Sequence, residues 1–362
     1  MSMRSDLFRR LNGEDTEHIP WFGDLSYYLS SLRLRGLLPG RYEGPEGEVR
    51  FYRDRKVGIC FYAPFTFRET YTDGIEYRER TAPEGIYACF HTKHGDLTSF
   101  QKYLPDTYVY AYREHFVKGI DDLERMAYIF EHTRYLPDYE PWRERDRLYG
   151  EDGIAVELAP ISVSPLQKLL ARWAGVETTV SILSEEEDRF EDCLHRIEEA
   201  QMPVFEILAG SGAQLIEFPE NLTSEVSGSF FRKYNLPYYQ RTTERMHRAG
   251  KKVSIHIDGT LRPCLSMLRE AGFDIAEAVT PAPVGDLDVE ELRSAAGEDL
   301  VLWGGLPGAM FTPYFSDEEF EAQIRRVLAL RDPRTILGVA DQVPPDAVED
   351  RIRRVSEIIG RG

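Results

Sequence analysis

The feature that most constrains the fold of this chain is the alternation of short apolar segments with amphipathic helical segments from about residue 150 onward. Six apolar segments have the length and composition of strands in a parallel sheet that helices cover on the outside. These segments are 154–158, 213–218, 252–257, 274–278, 299–303 and 335–339. Six strand–helix repeats favour a closed (β/α)8 barrel, the TIM barrel, over an open doubly wound sheet.

The N-terminal third of the sequence has a different pattern. Residues 18–22 are the clearest of the missing barrel strands. The segments 57–62, 75–80 and 85–92 are short, aromatic and β-branched, which predicts an antiparallel β-rich insertion at about 50–115. Such an insertion either buries one end of the barrel or forms a lid over the active site. We therefore expect residues 1–362 to form a single TIM barrel that carries this insertion.

Charge and composition exclude several classes of protein. The chain has 62 acidic and 44 basic residues, a net charge of −18, which disfavours binding to nucleic acid or to an anionic membrane. No apolar stretch exceeds the length of a strand, so neither a transmembrane span nor a secretory signal is expected. The four cysteines form no Cys-x-x-Cys pair, which indicates a reducing, cytoplasmic location. No glycine-rich phosphate loop follows a strand, so a nucleotide-dependent enzyme is disfavoured.

Polar residues at the carboxyl ends of the barrel strands are candidates for an active site, because these ends converge on one pocket in a TIM barrel. An isolated charge is costly to bury, so a cluster of carboxylates there requires a cation, a bound metal or shared protons. The residues at these positions are Glu157, Glu217, His256, Asp258, Glu277, Trp303 and Asp341.

His256 and Asp258 are two positions apart on a predicted strand, so their side chains point to the same side. An imidazole nitrogen and a carboxylate oxygen are good ligands for Zn²⁺ or a related divalent ion. Asp341 would complete a three-ligand site, with Glu217 as a fourth ligand or as a partner of the ligands. The alternative is a neutral core histidine that is hydrogen-bonded to Asp258.

An aromatic cluster with one carboxylate follows the first predicted strand. Its members are Trp21, Asp24 and Tyr27. Such a cluster forms the wall of a substrate pocket or plugs the barrel, and the sequence leaves both alternatives open.

An ordered set of motifs in this chain resembles the uroporphyrinogen decarboxylase superfamily, which includes cobalamin-dependent methyltransferases. The motifs are 218–225, 231–238, 254–259, 302–305 and 336–345, and the segments 164–166 and 173–175 match a family element upstream. The resemblance covers most of residues 150–362. It implies a (β/α)8 barrel with its active site at the carboxyl ends of the strands, in agreement with the strand pattern.

Two branches of this superfamily are possible. The decarboxylases carry arginines after the first strand that bind substrate carboxylates, whereas residues 21–26 contain none and Asp24 would repel a polyanionic porphyrinogen. The methyltransferases bind zinc through His-x-Cys and a later cysteine. The resemblance places His256 at the position of the family histidine, and Asp258 and Asp341 at the positions of the two cysteines.

The resemblance therefore implies a metal-dependent methyltransferase that moves a methyl group between a small substrate and a corrinoid protein or a thiol. The metal is expected to be zinc. A partner protein would carry the corrinoid, since nothing in the chain resembles a corrinoid domain, and a homodimer is possible. The expected catalytic carboxylates are Glu157, Glu217 and Glu220, and the expected pocket residues are Trp21, Asp24, Tyr27, Asn221 and Trp303. The alternatives are a decarboxylase of a tetrapyrrole or other polycarboxylate, and a non-catalytic barrel that serves as a binding subunit.

Overall fold

Parallel strands follow one another around a barrel in the computed structural model of this chain, which describes residues 2–161, 163–224, 228 and 230–360. Within these residues the barrel has eight strands. From the second strand to the eighth, each pairs with the next in chain order, and the eighth pairs with the first. They are β1 (Trp21–Phe22), β2 (Ile59–Tyr62), β3 (Gly153–Leu158), β4 (Leu215–Leu222), β5 (Lys252–Ile257), β6 (Ile275–Val279), β7 (Val301–Pro307) and β8 (Thr335–Ala340). The prediction of a (β/α)8 barrel is confirmed.

The barrel closes at its shortest strand. β1 pairs with β8 through Trp21 and Phe22. On its other side a single parallel bridge joins Phe22 to Gly58, where the Gly58 N–H donates to the Trp21 carbonyl at 2.8 Å.

The barrel belongs to a compact unit that comprises the described residues of Met1–Phe65, Glu140–Leu158 and Gly212–Gly362. Its α-helices are Met3–Leu11, Ser26–Leu34, Gly44–Asp54, Glu140–Tyr149, Leu236–Arg248, Cys264–Met267, Leu292–Ala296, Asp317–Ala329 and Glu349–Ile358. The predicted capping box is present, because Ser316 Oγ accepts the Glu319 N–H and the Glu319 carboxylate accepts the Ser316 N–H. A π-helical turn, Phe231–Asn235, precedes the helix Leu236–Arg248.

The core of the barrel lies toward the amino ends of its strands. Leu7 and Leu11 of the helix Met3–Leu11 pack there against inward-facing strand residues, so this helix covers that end of the barrel. The strand residues of this core cluster are Phe22, Ile154, Val156, Leu215, Ile275, Val301, Trp303 and Ile336. These positions define which side of each strand faces the barrel axis.

The prediction for residues 57–62 is wrong. Ile59–Tyr62 is not part of an antiparallel insertion but the second barrel strand, parallel to β3 with Cys60 opposite Ile154. Like the segments 75–80 and 85–92, the segment 57–62 is short, aromatic and β-branched. Its pairing partner lies about ninety residues away, so the local pattern could not distinguish the two assignments.

The second compact unit comprises the described residues of Thr66–Tyr139 and Ala159–Ser211. It confirms antiparallel β structure from Phe67 onward: Phe67–Tyr71 pairs with Thr133–Pro137, and Glu76–Ala82, Gly85–His91, Leu97–Leu104 and Val109–Glu114 form a four-stranded sheet. Its helices are Ile120–Glu131, Pro165–Lys168, Val176–Glu185 and Glu187–Gly210, with a π-helical turn at Leu169–Trp173. The assignment of 1–362 to a single domain stays a prediction. Among the described residues, no helix is both long and apolar enough to cross a membrane.

The packing of Leu7 under the barrel can be tested by truncation. Leu7→Ala removes a fully buried side chain from the core cluster, so we expect the free energy of unfolding to fall by about 2–5 kcal/mol. The measurement is urea unfolding followed by circular dichroism. Glu14→Ala, at an exposed position just after the same helix, is the control and should change stability little. Equal effects of the two substitutions would contradict the packing described here.

Candidate active site

Two acidic side chains and one histidine project from neighbouring strands toward the barrel axis. Leu215 and Ile275 belong to the core cluster, and side chains two positions apart on a strand share a face. Glu217 on β4 and Glu277 on β6 therefore point inward, one step nearer the carboxyl ends of the strands. His256 on the intervening β5 is opposite Glu277 in the strand register. The inward-facing positions are thus apolar toward the amino ends of these strands and polar toward their carboxyl ends.

The three side chains converge. His256 Nδ1 lies 2.5 Å from Glu277 Oε2, and Ser254 Oγ donates to Glu217 Oε2 at 3.1 Å. One ligand atom from each of Glu217, His256 and Glu277 lies within 4.8 Å of the other two. Glu217 and His256 are buried, at 3% and 7% exposure. We call Glu217, His256 and Glu277 the acidic-histidine cluster.

Two further carboxylates lie beside this cluster. Asp341 follows β8, and its Oδ1 is 3.9 Å from His256 Nε2. Because 3.9 Å exceeds hydrogen-bond distance, Nε2 has no hydrogen-bond partner among the described residues. Asp24 follows β1, where its carboxylate accepts the Ser26 N–H at 2.7 Å and the Gln342 side-chain amide at 2.9 Å. Gln342 thus holds the loop after β8 to the loop after β1.

The pKa values reflect an excess of carboxylates. Burial lowers the pKa of His256, but the hydrogen-bonded Glu277 carboxylate, with Glu217 and Asp341, outweighs burial and raises it to about 10. Partial desolvation raises the pKa of Asp341 to about 6, against the opposing effect of His256, and repulsion from Asp258 and Asp24 adds to this rise. Desolvation also raises the pKa of Asp24. Without a bound cation, His256 is therefore the positive charge that these acids share.

Backbone strain accompanies the site. In the described part of the barrel, Asn221, Ala278 and Asp341 have left-handed φ values of 49°, 62° and 64° at or near the carboxyl ends of β4, β6 and β8. Ala278 is fully buried, follows Glu277 directly, and lies where the pairing of β6 with β7 shifts register. Such irregularities at strand ends re-aim side chains and persist only where the surroundings hold them. The irregularity at Ala278 sets the direction of the strand end that carries Glu277.

The structure brings together only some of the residues selected from the sequence. Glu217, His256, Asp341 and Asp24 lie around one centre. Asp258 is not among the residues whose ligand atoms converge. Its Oδ1 accepts the Gly259 N–H at 2.7 Å, and its charge acts on Asp341.

Glu157 and Glu220 point away from the barrel axis. On β3 the inward residues are Ile154 and Val156, so the alternation directs Glu157 to the outer face. Glu220 accepts a hydrogen bond from Tyr239 Oη at 2.9 Å, and Tyr239 belongs to the helix outside β4. Both residues are buried, at 0% and 1% exposure.

The expected pocket residues other than Asp24 are dispersed. Trp303 lies in the core cluster with its ring 5.5 Å from that of Phe22, in an edge-to-face contact. Trp21 stacks on Phe311 at 6.4 Å. Tyr27 is half-buried at the start of the helix Ser26–Leu34, and Asn221 is exposed. The motif 218–225 ends at Glu225, which lies outside the described residues.

Two residues of the site had no assigned role in the sequence interpretation. Glu277 was one of the strand-end acids, and its separation of two positions from the apolar Ile275 was the available signal. Cys60 faces inward from β2, and desolvation together with the charges of Glu217 and Glu277 raises the pKa of its thiol. Because residues 57–62 were assigned to the antiparallel insertion and not to the barrel, Cys60 was not expected to face the barrel interior.

Comparison with known proteins places this chain in a family. A model of the family "Uroporphyrinogen decarboxylase (URO-D)" matches residues 146–361, and the chain belongs to this family. A methyltransferase from Methanosarcina mazei superposes over 99% of this chain and 98% of its own, with a TM-score of 0.62 and 13% identity, which shows a shared fold. A putative vitamin-B12 independent methionine synthase from Listeria monocytogenes aligns over 94% of this chain and 95% of its own, with a TM-score of 0.41 and 11% identity. No curated protein matches the sequence. The superfamily resemblance is confirmed.

Relief of the strain at Ala278 gives a direct test of the backbone geometry. A left-handed conformation costs a non-glycine residue roughly 1–2 kcal/mol and glycine almost nothing. We expect Ala278→Gly to raise the free energy of unfolding by up to about 1 kcal/mol, after the added entropy of the unfolded chain. Ala276→Gly, at a buried and regular position of the same strand, is the matched control and should destabilise. Chemical denaturation measures both, and equal destabilisation would argue against the left-handed geometry.

The raised pKa of His256 has a signed consequence for stability. A histidine whose pKa rises from 6.5 to about 10 on folding stabilises the folded state fully below pH 6.5, and this stabilisation is lost as pH increases through 10. In metal-free protein, we therefore expect the stability difference between wild type and His256→Gln to be largest near pH 6 and to shrink toward pH 10. Urea unfolding at several pH values measures this difference. His195→Gln, at an exposed position, should show no such trend, and a difference for His256→Gln that grows with pH would contradict the assignment.

Proposed function

We propose that this protein is a metal-dependent methyltransferase that moves a methyl group between a small substrate and a corrinoid protein or a thiol. The observation that carries the proposal is the convergence of one imidazole and two carboxylates from three neighbouring strands, with ligand atoms within 4.8 Å of one another. Membership of the uroporphyrinogen decarboxylase family and the fold shared with a methyltransferase support it.

The donor set fits a divalent ion. Zn²⁺ accepts histidine nitrogen and carboxylate oxygen, as do Fe²⁺ and Mn²⁺. We propose zinc as the first candidate. His256 would bind it together with Glu217 and Glu277, the two nearest carboxylates. Asp341 lies on the Nε2 side of His256. Asp258 stays a candidate ligand through the resemblance. Because His256 carries a proton in the absence of a metal, metal binding should weaken as pH falls.

The surrounding residues orient this donor set. A bound ion would act as a Lewis acid on a substrate oxygen or thiol. The Glu277 carboxylate fixes the His256 ring through Nδ1, so that Nε2, the nitrogen nearest Asp341, is available to a bound ion. Ser254 holds the carboxylate of Glu217. The Gln342 amide holds Asp24 at the rim of the same site.

The methyl carrier and the compartment belong to the same proposal. A separate corrinoid protein would present the methyl group at the carboxyl ends of the strands. The free cysteines among the described residues fit a reducing compartment, the cytoplasm. A decarboxylase of polycarboxylates is less consistent with this site, because a polyanion would meet Asp24, Glu277 and Asp341.

Metal content of matched variants tests the metal site. We expect about one divalent ion per chain by elemental analysis, lost in His256→Ala and strongly reduced in Glu277→Gln. Glu220→Gln is the control, because it changes a buried glutamate of the same barrel that faces away from His256. Circular dichroism verifies folding of each variant. Full metal content in His256→Ala, or equal losses in Glu277→Gln and Glu220→Gln, would refute the site.

The reaction is tested with methylcobalamin as the methyl donor and a small thiol as the acceptor. We expect methyl transfer by the metal-loaded protein and a fall of at least about 100-fold after chelation, restored by added Zn²⁺. If the carboxylate of Asp258 is a ligand, Asp258→Asn should reduce the metal content of the protein; if it is not, the metal content should stay unchanged. Metal binding without any methyl transfer, with methylcobalamin or with a methylated corrinoid protein, would refute the reaction and retain the metal site.

A further inference from the structure

One edge of the four-stranded antiparallel sheet in the second unit is open. The sheet ends in the strand Glu76–Ala82 on one side and in Val109–Glu114 on the other. All of Glu76–Ala82 pairs with Gly85–His91 without a register shift, and no described residue pairs with its outer side. Its residues are exposed up to Thr81. This strand therefore presents backbone donors and acceptors that a further strand can bind.

The opposite edge of the same sheet is interrupted. Along Val109–Glu114 the pairing with the neighbouring strand skips Arg113, and Tyr108, just before this strand, has a left-handed φ of 59°. Such irregularities prevent a further strand from pairing over a long stretch. The strand Glu76–Ala82 has no irregularity of this kind, and it contains neither proline nor lysine, which commonly protect an edge. The sheet thus has one interrupted edge and one regular edge.

The regular edge strand carries charges of both signs. Glu76, Arg78 and Arg80 are spaced by two positions, so they share one face of the sheet. Arg78 is paired with Glu76 of the same strand at 2.6 Å. The guanidinium of Arg80 lies over the ring of Tyr87 at 4.6 Å, and it has no acidic partner among the described residues. One exposed positive charge of this strand is therefore not compensated within the chain.

We propose that Glu76–Ala82 pairs antiparallel with the same strand of a second copy of this chain, so that two four-stranded sheets join edge to edge. A two-fold axis at Arg78 places Glu76 of each copy opposite Arg80 of the other, and the two cross-strand ion pairs stabilise the contact. Arg78 then lies opposite its own copy, with its charge offset by Glu76 of its own strand. This charge complementarity of the strand with its own reverse favours a second copy as the partner.

Charge selects this register over its neighbours. An axis at Glu79 would place Glu79 opposite its own copy and Arg78 opposite Arg80, so that like charges would face each other. An axis at Tyr77 would place Arg80 opposite Gly74, which precedes the strand and carries no charge. The register centred on Arg78 is the one in which Arg80 gains an acidic partner.

Sedimentation of the full-length protein over a range of concentrations tests the pairing. We expect a reversible dimer with a dissociation constant of about 1–100 μM, because a contact between two strand edges is smaller than a standard interface. Amide hydrogen exchange locates the contact, since the amides of 76–82 should become more protected as the protein concentration rises. A protein that stays monomeric above about 100 μM, or a dimer without protection of 76–82, would overturn the proposal.

A charge exchange tests the register. Arg80→Glu places an acid opposite Glu76 on both sides of the axis, so we expect the dissociation constant to rise at least about tenfold. Adding Glu76→Arg to Arg80→Glu restores opposite charges, and the double variant should dimerise within about threefold of wild type. Arg113→Glu makes the same change of charge at an exposed residue of the other edge strand and is the matched control.

Each comparison of variants has an outcome that contradicts the proposal. Circular dichroism first verifies that every variant is folded. Equal weakening of the dimer by Arg80→Glu and Arg113→Glu would attribute the effect to net charge. A folded double variant that dimerises no better than Arg80→Glu would refute the pairing of Glu76 with Arg80 across the two-fold axis.

Discussion

The two-residue period of the barrel strands is the constraint on which the site depends. Once Leu215 and Ile275 face the core, Glu217 and Glu277 must face the same axis, and His256 between them completes a polar layer above an apolar one. A shift of one residue in any of these strands would exchange the layers and bury a carboxylate against helices. The apolar floor and the acidic-histidine cluster are thus consequences of a single register, and neither can change without the other.

Electrostatics gives the carboxyl ends of the strands their chemical character. Glu277 raises the proton affinity of His256, and the acids around Asp341 raise its own pKa to about 6. Both effects result from the excess of carboxylates over positive charges at this end of the barrel, which a bound divalent ion would reduce. The acids that have arginine partners, such as Asp332, lie at other parts of the unit and stabilise the fold.

The sequence predicted those features that depend on local periodicity. Apolar strands and helical spacing identified β3 to β8, and the rule that strand ends converge selected Glu217, His256 and Asp341. Three kinds of information were not local. The partner of Ile59–Tyr62 is distant in the chain, the inward or outward direction of Glu157 and Glu220 depends on register, and the left-handed geometry at Ala278 has no residue signature. Glu277 belonged to the strand-end acids, but only the structure shows its contact with His256.

The closure of the barrel at β1 has a mechanical consequence. A two-residue strand and a single bridge between Phe22 and Gly58 make this seam the shortest hydrogen-bonded junction described in the sheet, while β4 and β5 are joined along most of their length. Local opening at the seam should cost less free energy than separation of β4 from β5, so we expect the amide hydrogens of β1 and Gly58 to exchange faster than those of β4 and β5. Asp24 follows the seam directly, and the clamp from Gln342 spans the junction of β1 with β8. Local opening of the barrel at this junction would therefore displace the carboxylate of Asp24 before it disturbs the acidic-histidine cluster.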